Sequence, residues 1–292
     1  MVQIKLTPFY GGLMKRRYLI LLLIVLSIVS LFIGVKNVSL QDILNLEDEG
    51  MQVMLLSRLP RLISIIVAGM GIAISGLIMQ SISRNKFVSP STAATMDSAK
   101  LGVLVSLILF SGSSPLNKMI ISFIFAIGGT ILFMQILRRI KFQNAIFIPL
   151  VGIMLGNIIN SITTFFAYRL NIIQSISAWL QGDFSMIIKG RYELLYISLP
   201  LLAVAFLYAN KFTIAGMGED FAANLGLNYN RVVNMGVGIV ALISSLVIIT
   251  VGTIPFLGLI VPNIITIFQG DNMRNNILHT ALFGAIFLLF CD

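Results

Sequence analysis

Long runs of apolar residues alternate with short polar breaks along almost the whole chain. A membrane-spanning helix needs about 20 mainly apolar residues, and most of the 292 residues can be divided into segments of that kind. The pattern predicts nine spanning helices, and we expect the eighth to be broken or tilted, because it is short and contains Pro262. Their predicted bounds are 18–35, 61–80, 91–110, 117–137, 145–167, 193–209, 231–250, 256–269 and 277–291.

The composition agrees with this pattern. Of all residues 58% are hydrophobic and only 11% are charged, whereas about 25% of the residues of a soluble domain are charged. So few charges cannot cover a water-facing surface, so the chain belongs in lipid. The net charge of +9 does not indicate nucleic-acid binding, because the basic residues lie in small clusters between the apolar runs. No soluble linker interrupts the pattern, so we predict an all-α, polytopic membrane bundle with a single transmembrane domain over 1–292.

The basic residues predict the orientation of the chain. They lie in small clusters between the apolar runs, and more of them fall on the side of the N-terminus than on the opposite side. Since cytoplasmic loops are rich in lysine and arginine, we place the N-terminus and the loops near 81–90, 138–144, 210–230 and 270–276 in the cytoplasm. Asp292 then lies outside, directly after an apolar run, and we expect a last spanning helix to be missing from this sequence.

A polar segment between two apolar runs, from Gly216 to Arg231, is too long and too patterned for a simple turn. It predicts one or two short helices at the cytoplasmic face. The chain has no phosphate-binding loop of the G-x-x-x-x-G-K-[ST] type, no nucleophile elbow and no zinc or redox signature. We therefore predict no catalytic residue, no metal site and no enzyme, and we interpret the polar segment as the surface through which a separate motor moves the protein.

Two arginines, Arg58 and Arg61, stand three residues apart at the outer start of the second span, with Pro60 in its first turn. The planar fork of arginine binds carboxylates through two hydrogen bonds, so the pair could dock an acidic partner. Interfacial anchoring of the helix is an equally good interpretation.

Asp97 and Lys100 interrupt the third span. Ionisable residues at membrane depth usually face a cavity or each other, and a spacing of three permits an ion pair on one helix face. One interpretation places them on a translocation path. The other is that the third helix starts later, which would leave both residues among the cytoplasmic lipid headgroups.

The fifth span contains Gly152 and Gly156, followed by Asn157 and Asn160. Small residues four positions apart let helices pack closely, and this is the favoured interpretation. A pore-lining role for the two amides is the alternative.

A second irregular region covers 251–262 and contains Pro255, Phe256 and Pro262. Non-helical backbone within a membrane survives only when it is buried in protein or lines water, so we predict a gate or hinge there. The stretches 61–90 and 231–262 each consist of a helix followed by a proline-containing break, and they run in opposite directions. They indicate an inverted repeat of the kind found in transporters.

Three segments carry a family resemblance. The first extends from Arg58-Leu-Pro-Arg61 through Ala68–Gln80 to Asn85. The second is the polar segment around Gly218, Ala222, Leu225 and Gly226. The third is G-T-I-P-F-L-G-L-I-V-P-N at 252–263. They resemble the permease subunits of ATP-binding-cassette importers for iron-siderophores, haem and cobalamin. Together with the hydropathy, the resemblance covers nearly the whole chain.

The resemblance implies a bundle of ten spans in the bacterial cytoplasmic membrane and a second permease chain, identical or not. It implies two cytoplasmic ATPase subunits, which hold the ATP and magnesium, while this chain binds no cofactor. These subunits would grip short coupling helices that map to Gly218, Glu219, Ala222, Leu225 and Gly226. An extracytoplasmic siderophore-binding protein would dock on Arg58 and Arg61. The path residues would be Asp97, Lys100, Asn157, Asn160, Pro255, Phe256 and Pro262.

The implied activity is import of a ferric siderophore by alternating access. Import of cobalamin or haem, or ion-coupled secondary transport, are the alternatives. The sequence departs from the family pattern at N-K-F-V-S-P (85–90), where the family has N-P-L-A-x-P, and at Asn263, where histidine is usual. Asp97 and Lys100 replace small residues. We expect these changes to mark a siderophore subgroup with catecholate or mixed ligands.

Overall fold

The computed structural model describes residues 15–32, 52–110, 112, 114–139, 147–185, 187 and 192–292. Within these ranges the chain is almost entirely helical. The helices of the first half are α1 (Arg16–Phe32), α2 (Leu59–Ile82, preceded by a π-helical turn Met54–Arg58), α3 (Thr95–Leu109), α4 (Pro115–Arg139) and α5 (Phe147–Arg169).

The second half begins with a short helix and ends with three long or broken ones. Its helices are α6 (Ile173–Leu180), a 3-10 turn (Glu193–Ile197), α7 (Ser198–Gly216), α8 (Glu219–Asn224), α9 (Tyr229–Thr250), α10 (Leu257–Gln269) and α11 (Met273–Cys291). Each of the nine predicted spans contains one long or medium helix, which confirms the all-α membrane fold. The last residues of the first predicted span, 33–35, and most of the predicted loop 138–144 lie outside the described residues.

Six of the helical segments in the described ranges are long and apolar enough to cross a membrane unaided. They contain α2, α4, α5, α7, α9 and α11, and the chain is therefore a multi-pass membrane protein. The remaining predicted spans correspond to the shorter helices α1, α3 and α10, of 17, 15 and 13 residues.

Helix α2 lies at the centre of the bundle. It packs against α7, α9, α10 and α11, and most of its residues are buried. Glycines allow this crowding: a Cβ added to Gly69 would lie 2.7 Å from the Gly284 carbonyl oxygen of α11, and one added to Gly76 would overlap the Gly258 carbonyl of α10. Backbones this close gain dispersion contacts that larger residues would forbid.

The contact with α10 falls where that helix is weakest. Pro262 lacks an N–H and so cannot donate to the Gly258 carbonyl, and this is the carbonyl that Gly76 faces. The next carbonyl, that of Leu259, accepts hydrogen bonds from Gln80 Nε2 at 3.3 Å and from Asn263 Nδ2 at 2.9 Å. Helix α2 therefore packs against α10 at the interruption and donates one hydrogen bond to the neighbouring carbonyl.

Two similar units run in opposite directions through the bundle. Helix α2 is followed by a non-helical segment and the short α3, and α9 is followed by a non-helical segment and the short α10. A Cβ on Gly236, near the start of α9, would contact Ile82 at the end of α2, so the two long helices are antiparallel. This arrangement agrees with the predicted inverted repeat.

Contacts near the ends of the helices support the predicted alternation of ends. At the predicted cytoplasmic end, the Ser81 hydroxyl donates to the Phe212 carbonyl at 2.7 Å, and Lys86 pairs with Asp271. At the opposite end, Arg61 pairs with Asp292 at 2.6 Å.

We expect Gly76→Ala to destabilise the protein by about 1–3 kcal/mol, because the added methyl group overlaps the backbone of α10. Thermal unfolding in detergent would measure the effect. Gly238→Ala in α9 is the matched control, since nothing lies within 4 Å of the added Cβ. Equal unfolding temperatures for the two variants would show that the close packing of α2 on α10 does not contribute to stability.

Candidate functional site

The segment between α2 and α3 enters the bundle as non-helical backbone. Val88, Ser89 and Ala93 are fully buried there, and side chains replace the missing helical hydrogen bonds. Thr92 Oγ1 accepts from the Ser89 N–H at 2.8 Å and donates to the Phe87 carbonyl at 3.1 Å. Irregular backbone is thus paired and covered by protein, as a membrane interior requires.

Helix α3 begins at Thr95 rather than at the predicted residue 91, which corrects the predicted span. Nevertheless Asp97 does not lie near the end of the bundle. A Cβ on Gly156 would be 2.5 Å from Asp97 Oδ2, and Gly156 lies about 13 Å along α5 from its predicted cytoplasmic end. Helix α3 therefore starts later in the sequence than predicted, and its start lies at membrane depth. Neither of the two interpretations of Asp97 and Lys100 combined these features.

Asp97 and Lys100 form the ion pair that their spacing predicts. Lys100 Nζ donates to Asp97 Oδ1 at 3.1 Å, and each side chain is about one-fifth exposed. At this depth two opposite charges held together are less unfavourable than either charge alone. The pair is therefore not fully buried.

The glycines of α5 pack against this region, which agrees with the favoured interpretation of their spacing. A Cβ on Gly152 would overlap the Thr92 carbonyl oxygen. Asn157 and Asn160 lie on another face of α5 and are exposed. Ser161 and Thr164 are exposed beside them, so that four polar residues form one stripe at positions i, i+3, i+4 and i+7.

Ser161 and Thr164 were missed from sequence because both are common in apolar helices. Their spacing from Asn157 is the signal that could have found them. The Ser161 hydroxyl donates to the Asn157 carbonyl of its own helix at 2.8 Å, but lipid tails would offer no partner to the amides of Asn157 and Asn160. The exposed stripe is therefore suited to water or to another protein chain.

The stripe leads to a cavity of about 390 Å³ between α5 and α6. Asn160, Thr164, Ser177 and Gln181 contribute polar groups to its lining. Gln181 also forms an isolated parallel β-bridge with Thr253, in the break between α9 and α10. The cavity and the break thus meet at the predicted outer end.

The predicted gate residues differ in their exposure. Pro255 and Phe256 are exposed, and Phe256 has a positive φ of 61° at the start of α10. Pro262 is buried inside α10, so its side chain does not line an open surface in this conformation. It interrupts the hydrogen bonding of α10 instead.

One short helix, α8, forms in the predicted coupling segment. The Leu227 N–H donates to the Ala222 carbonyl, and the Gly226 N–H donates to the Ala223 carbonyl, both at 2.9 Å. These bonds form a Schellman motif, for which Gly226 supplies the left-handed conformation with a φ of 72°. The end of α8 is therefore fixed by its own backbone.

The two faces of α8 differ in polarity. Ala222 is fully buried, whereas Glu219 is exposed. Met217, Phe221 and Leu225 are large apolar residues with 58%, 46% and 59% of their surface exposed. Such side chains beside exposed acidic residues at the end of the bundle are typical of a protein contact surface.

Beside α8 lies a cavity of about 340 Å³ between α2, α7 and the α10–α11 turn. Arg84 and Lys86 line it together with Gln80, whose Oε1 is buried without a partner. Lys86 and Asn263, which both depart from the family pattern, are in contact here. Asn263 Nδ2 donates to the Lys86 carbonyl at 2.8 Å. Together with the Lys86–Asp271 pair, this bond holds the start of the non-helical segment against α10.

The two candidate docking arginines have different environments. Arg58 is only 8% exposed, and its Nη1 donates to the Leu31 carbonyl of α1 at 2.6 Å. The side chain of Arg61 is 32% exposed and pairs with Asp292. Of the two guanidinium groups, that of Arg61 is the more accessible to a partner.

Comparison with known proteins agrees with the fold. The model of the FecCD transport family matches residues 22–292. The chain belongs to this family. Most of the described helices, both non-helical breaks and α8 fall within the matched range.

Two import permeases are similar to this chain in sequence. The chain is 61% identical to the petrobactin import system permease protein YclN of Bacillus subtilis, over 96% of this chain and 88% of that protein. It is 38% identical to the ferric-anguibactin transport system permease protein FatD of Vibrio anguillarum, over 94% of this chain and 87% of that protein.

A solved structure shares the fold. It is an inward-facing conformation of a putative metal-chelate type ABC transporter, which aligns with a TM-score of 0.80 at 23% identity. The alignment covers 97% of this chain and 90% of that chain. The bundle described above is therefore the fold of an ABC transporter permease.

We expect Lys100→Met to lower the free energy of unfolding by about 1–2 kcal/mol, because it leaves the Asp97 carboxylate at membrane depth without its cation. The double variant Asp97→Asn/Lys100→Met should recover most of this loss. Thermal or denaturant unfolding in detergent would provide the comparison. A double variant that is less stable than Lys100→Met would contradict the ion-pair explanation.

Proposed function

We propose that this chain is the translocation subunit of an ATP-driven importer that carries a ferric siderophore across a bacterial cytoplasmic membrane. The observation that carries the proposal is the 61% identity, over 96% of the chain, to a permease named for petrobactin import. The 38% identity to a ferric-anguibactin permease supports the same class of cargo. The siderophore carried by this chain is then one with catecholate or mixed ligands.

The proposed path runs along the polar stripe of α5 and past the Asp97–Lys100 pair. Asn157, Asn160 and the ion pair support this assignment, because polar groups that remain accessible at membrane depth favour a water-filled passage. Pro255 and Phe256 would stand at the outer mouth. A second permease chain would close the passage by covering the exposed face of α5, on which the polar stripe lies.

The proposed partners at the cytoplasmic end are two ATPase subunits, which bind ATP and magnesium, while this chain holds no cofactor and catalyses no reaction. Each ATPase would bind α8 through its exposed apolar residues and Glu219, with Gly218 and Gly226 fixing the ends of the helix. The proposed partner at the outer end is a siderophore-binding protein that docks on Arg58 and Arg61. Nucleotide and binding protein must each prefer one conformation to drive alternation.

Uptake of radiolabelled iron tests the cargo and the energy source together. Cells that lack their own importers should take up ferric petrobactin only when this chain is produced with its ATPase and binding protein. Import of cobalamin or haem, with no import of ferric siderophores, would contradict the cargo. Uptake driven by a proton gradient without the ATPase would indicate an ion-coupled secondary transporter instead.

A second experiment tests the coupling surface. Leu225→Ala should weaken binding of the ATPase about 5–30-fold, because an exposed apolar anchor at an interface contributes about 1–2 kcal/mol. The affinity can be measured with the permease in lipid nanodiscs. Leu207→Ala is the matched control, since Leu207 is 75% exposed on the spanning helix α7. Equal affinities for the two variants would contradict the role of α8.

A further inference from the structure

The cavity between α2, α7 and the α10–α11 turn, at the predicted cytoplasmic end, has walls that are joined by hydrogen bonds. The Ser81 hydroxyl of α2 donates to the Phe212 carbonyl of α7 at 2.7 Å. Thr213 Oγ1 of α7 accepts from the Met273 N–H of α11 at 3.3 Å. The cavity is therefore formed without a ligand, and its volume of about 340 Å³ lies within the range of about 300–1,000 Å³ of small-molecule sites.

Arg84, which lines this cavity, has a backbone conformation that arginine rarely adopts. Its φ is 51°. The Arg84 N–H donates to the Ser81 carbonyl at 3.2 Å, and the Asn85 N–H donates to the Gln80 carbonyl at 3.0 Å. These bonds form a Schellman motif at the end of α2, in which the left-handed position is usually a glycine, as Gly226 is after α8. Arginine is less favourable there than glycine, and such a residue points to a function of its side chain.

The guanidinium group of Arg84 has no carboxylate partner in the part of the chain that the structure describes. The side chain is exposed, and a Cβ added to Gly218 would lie 3.1 Å from its Nη1, so the group lies beside the start of α8. The other charged residues of the lining, Lys86 and Asp271, pair with each other. One positive charge of the described lining is therefore unbalanced.

A second polar group of the lining also lacks a partner. Gln80 is only 5% exposed, and its Nε2 donates to the Leu259 carbonyl at 3.3 Å. Its Oε1 is buried without a hydrogen bond, which is unfavourable unless a donor reaches it. Leu77 and Met273 add apolar surface to the lining. The cavity thus matches a ligand that combines a negative charge, a hydroxyl group and an adjoining apolar part.

We propose that this cavity binds a phosphodiester that carries a hydroxyl group, the headgroup of an anionic phospholipid in the cytoplasmic leaflet. The phosphate oxygens accept hydrogen bonds from Arg84, because charge-assisted bonds of this kind are strong. The hydroxyl group donates to Gln80, and the glycerol backbone of the lipid contacts Leu77 and Met273.

The position of the cavity favours a lipid as the source of this phosphate. It lies between the ends of spanning helices, and basic pockets between such helices on the cytoplasmic side bind acidic headgroups. A soluble phosphate ester with a hydroxyl group offers the same chemistry, so the experiment must distinguish the two sources.

Binding of phosphatidylglycerol to the purified permease in an uncharged detergent tests the site, with native mass spectrometry as the measurement. Arg84→Gly removes the guanidinium group but suits the left-handed backbone, so the variant should unfold at the same temperature as the unsubstituted chain or a higher one. We expect it to weaken binding about 5–30-fold.

Arg139→Gly is the matched control, because Arg139 is an exposed arginine at the last residue of α4 and at the same predicted end. It should change the affinity less than about twofold. Equal weakening by Arg84→Gly and Arg139→Gly would overturn the site. The same conclusion would follow if phosphatidylcholine, which has no net negative charge, bound as tightly as phosphatidylglycerol.

Two further probes test the details. Phosphatidylpropanol has the same charge but no hydroxyl group in its headgroup, so it should bind about 3–10-fold more weakly. Equal affinity would contradict the contact with Gln80. Soluble glycerol phosphate addresses the source: if it raises the unfolding temperature of the unsubstituted chain but not of Arg84→Gly, while phosphatidylglycerol does neither, the lipid assignment is wrong.

The nearby helix α8 requires one more comparison. If Arg84→Gly weakens binding of the ATPase and leaves binding of phosphatidylglycerol unaltered, Arg84 belongs to the protein contact and the lipid site is wrong. Loss of lipid binding with unaltered ATPase affinity supports the site.

Discussion

The close contact of α2 with its neighbours is the constraint on which the bundle depends. In a lipid environment, apolar surface gains little from being buried against other apolar surface, so helices associate through dense packing and hydrogen bonds. Gly69 and Gly76 bring the α2 backbone against α11 and α10. Gln80 then donates to a carbonyl of the helix that Pro262 interrupts. A central helix that lacked these small residues could not support two irregular segments beside it.

Both irregular segments follow from this packing. Non-helical backbone is stable at membrane depth when protein covers it and side chains satisfy its polar groups. The side chains of Thr92 and Asn85 do so before α3, and backbone contacts of residues 181–183 cover the break before α10. The amides of Asn157 and Asn160 on α5 and the Asp97–Lys100 pair take no part in these contacts and remain accessible. The hydrogen bonds that stabilise the two non-helical segments therefore also determine which polar groups remain available to line the candidate path.

The hydropathy pattern predicted the membrane fold and a helix within each predicted span, because runs of apolar residues have few alternatives in lipid. The spacing of the residues along the helices predicted the Asp97–Lys100 ion pair and the packing role of Gly152 and Gly156. It could not show that α3 begins both late and deep, since that depends on which partner covers residues 85–94. The contact of Lys86 with Asn263 likewise joins positions 177 residues apart, which no local pattern contains.

The deep start of α3 has a mechanical consequence. From Asn85 to Ala94 the wall of the bundle consists of turns and not of a helix. The hydrogen bonds of these turns come largely from the side chains of Asn85, Ser89 and Thr92. A helix resists local opening because each residue shares in a continuous ladder of backbone bonds. Side-chain bonds can be exchanged one at a time, so this wall of the bundle can rearrange while every spanning helix stays wound.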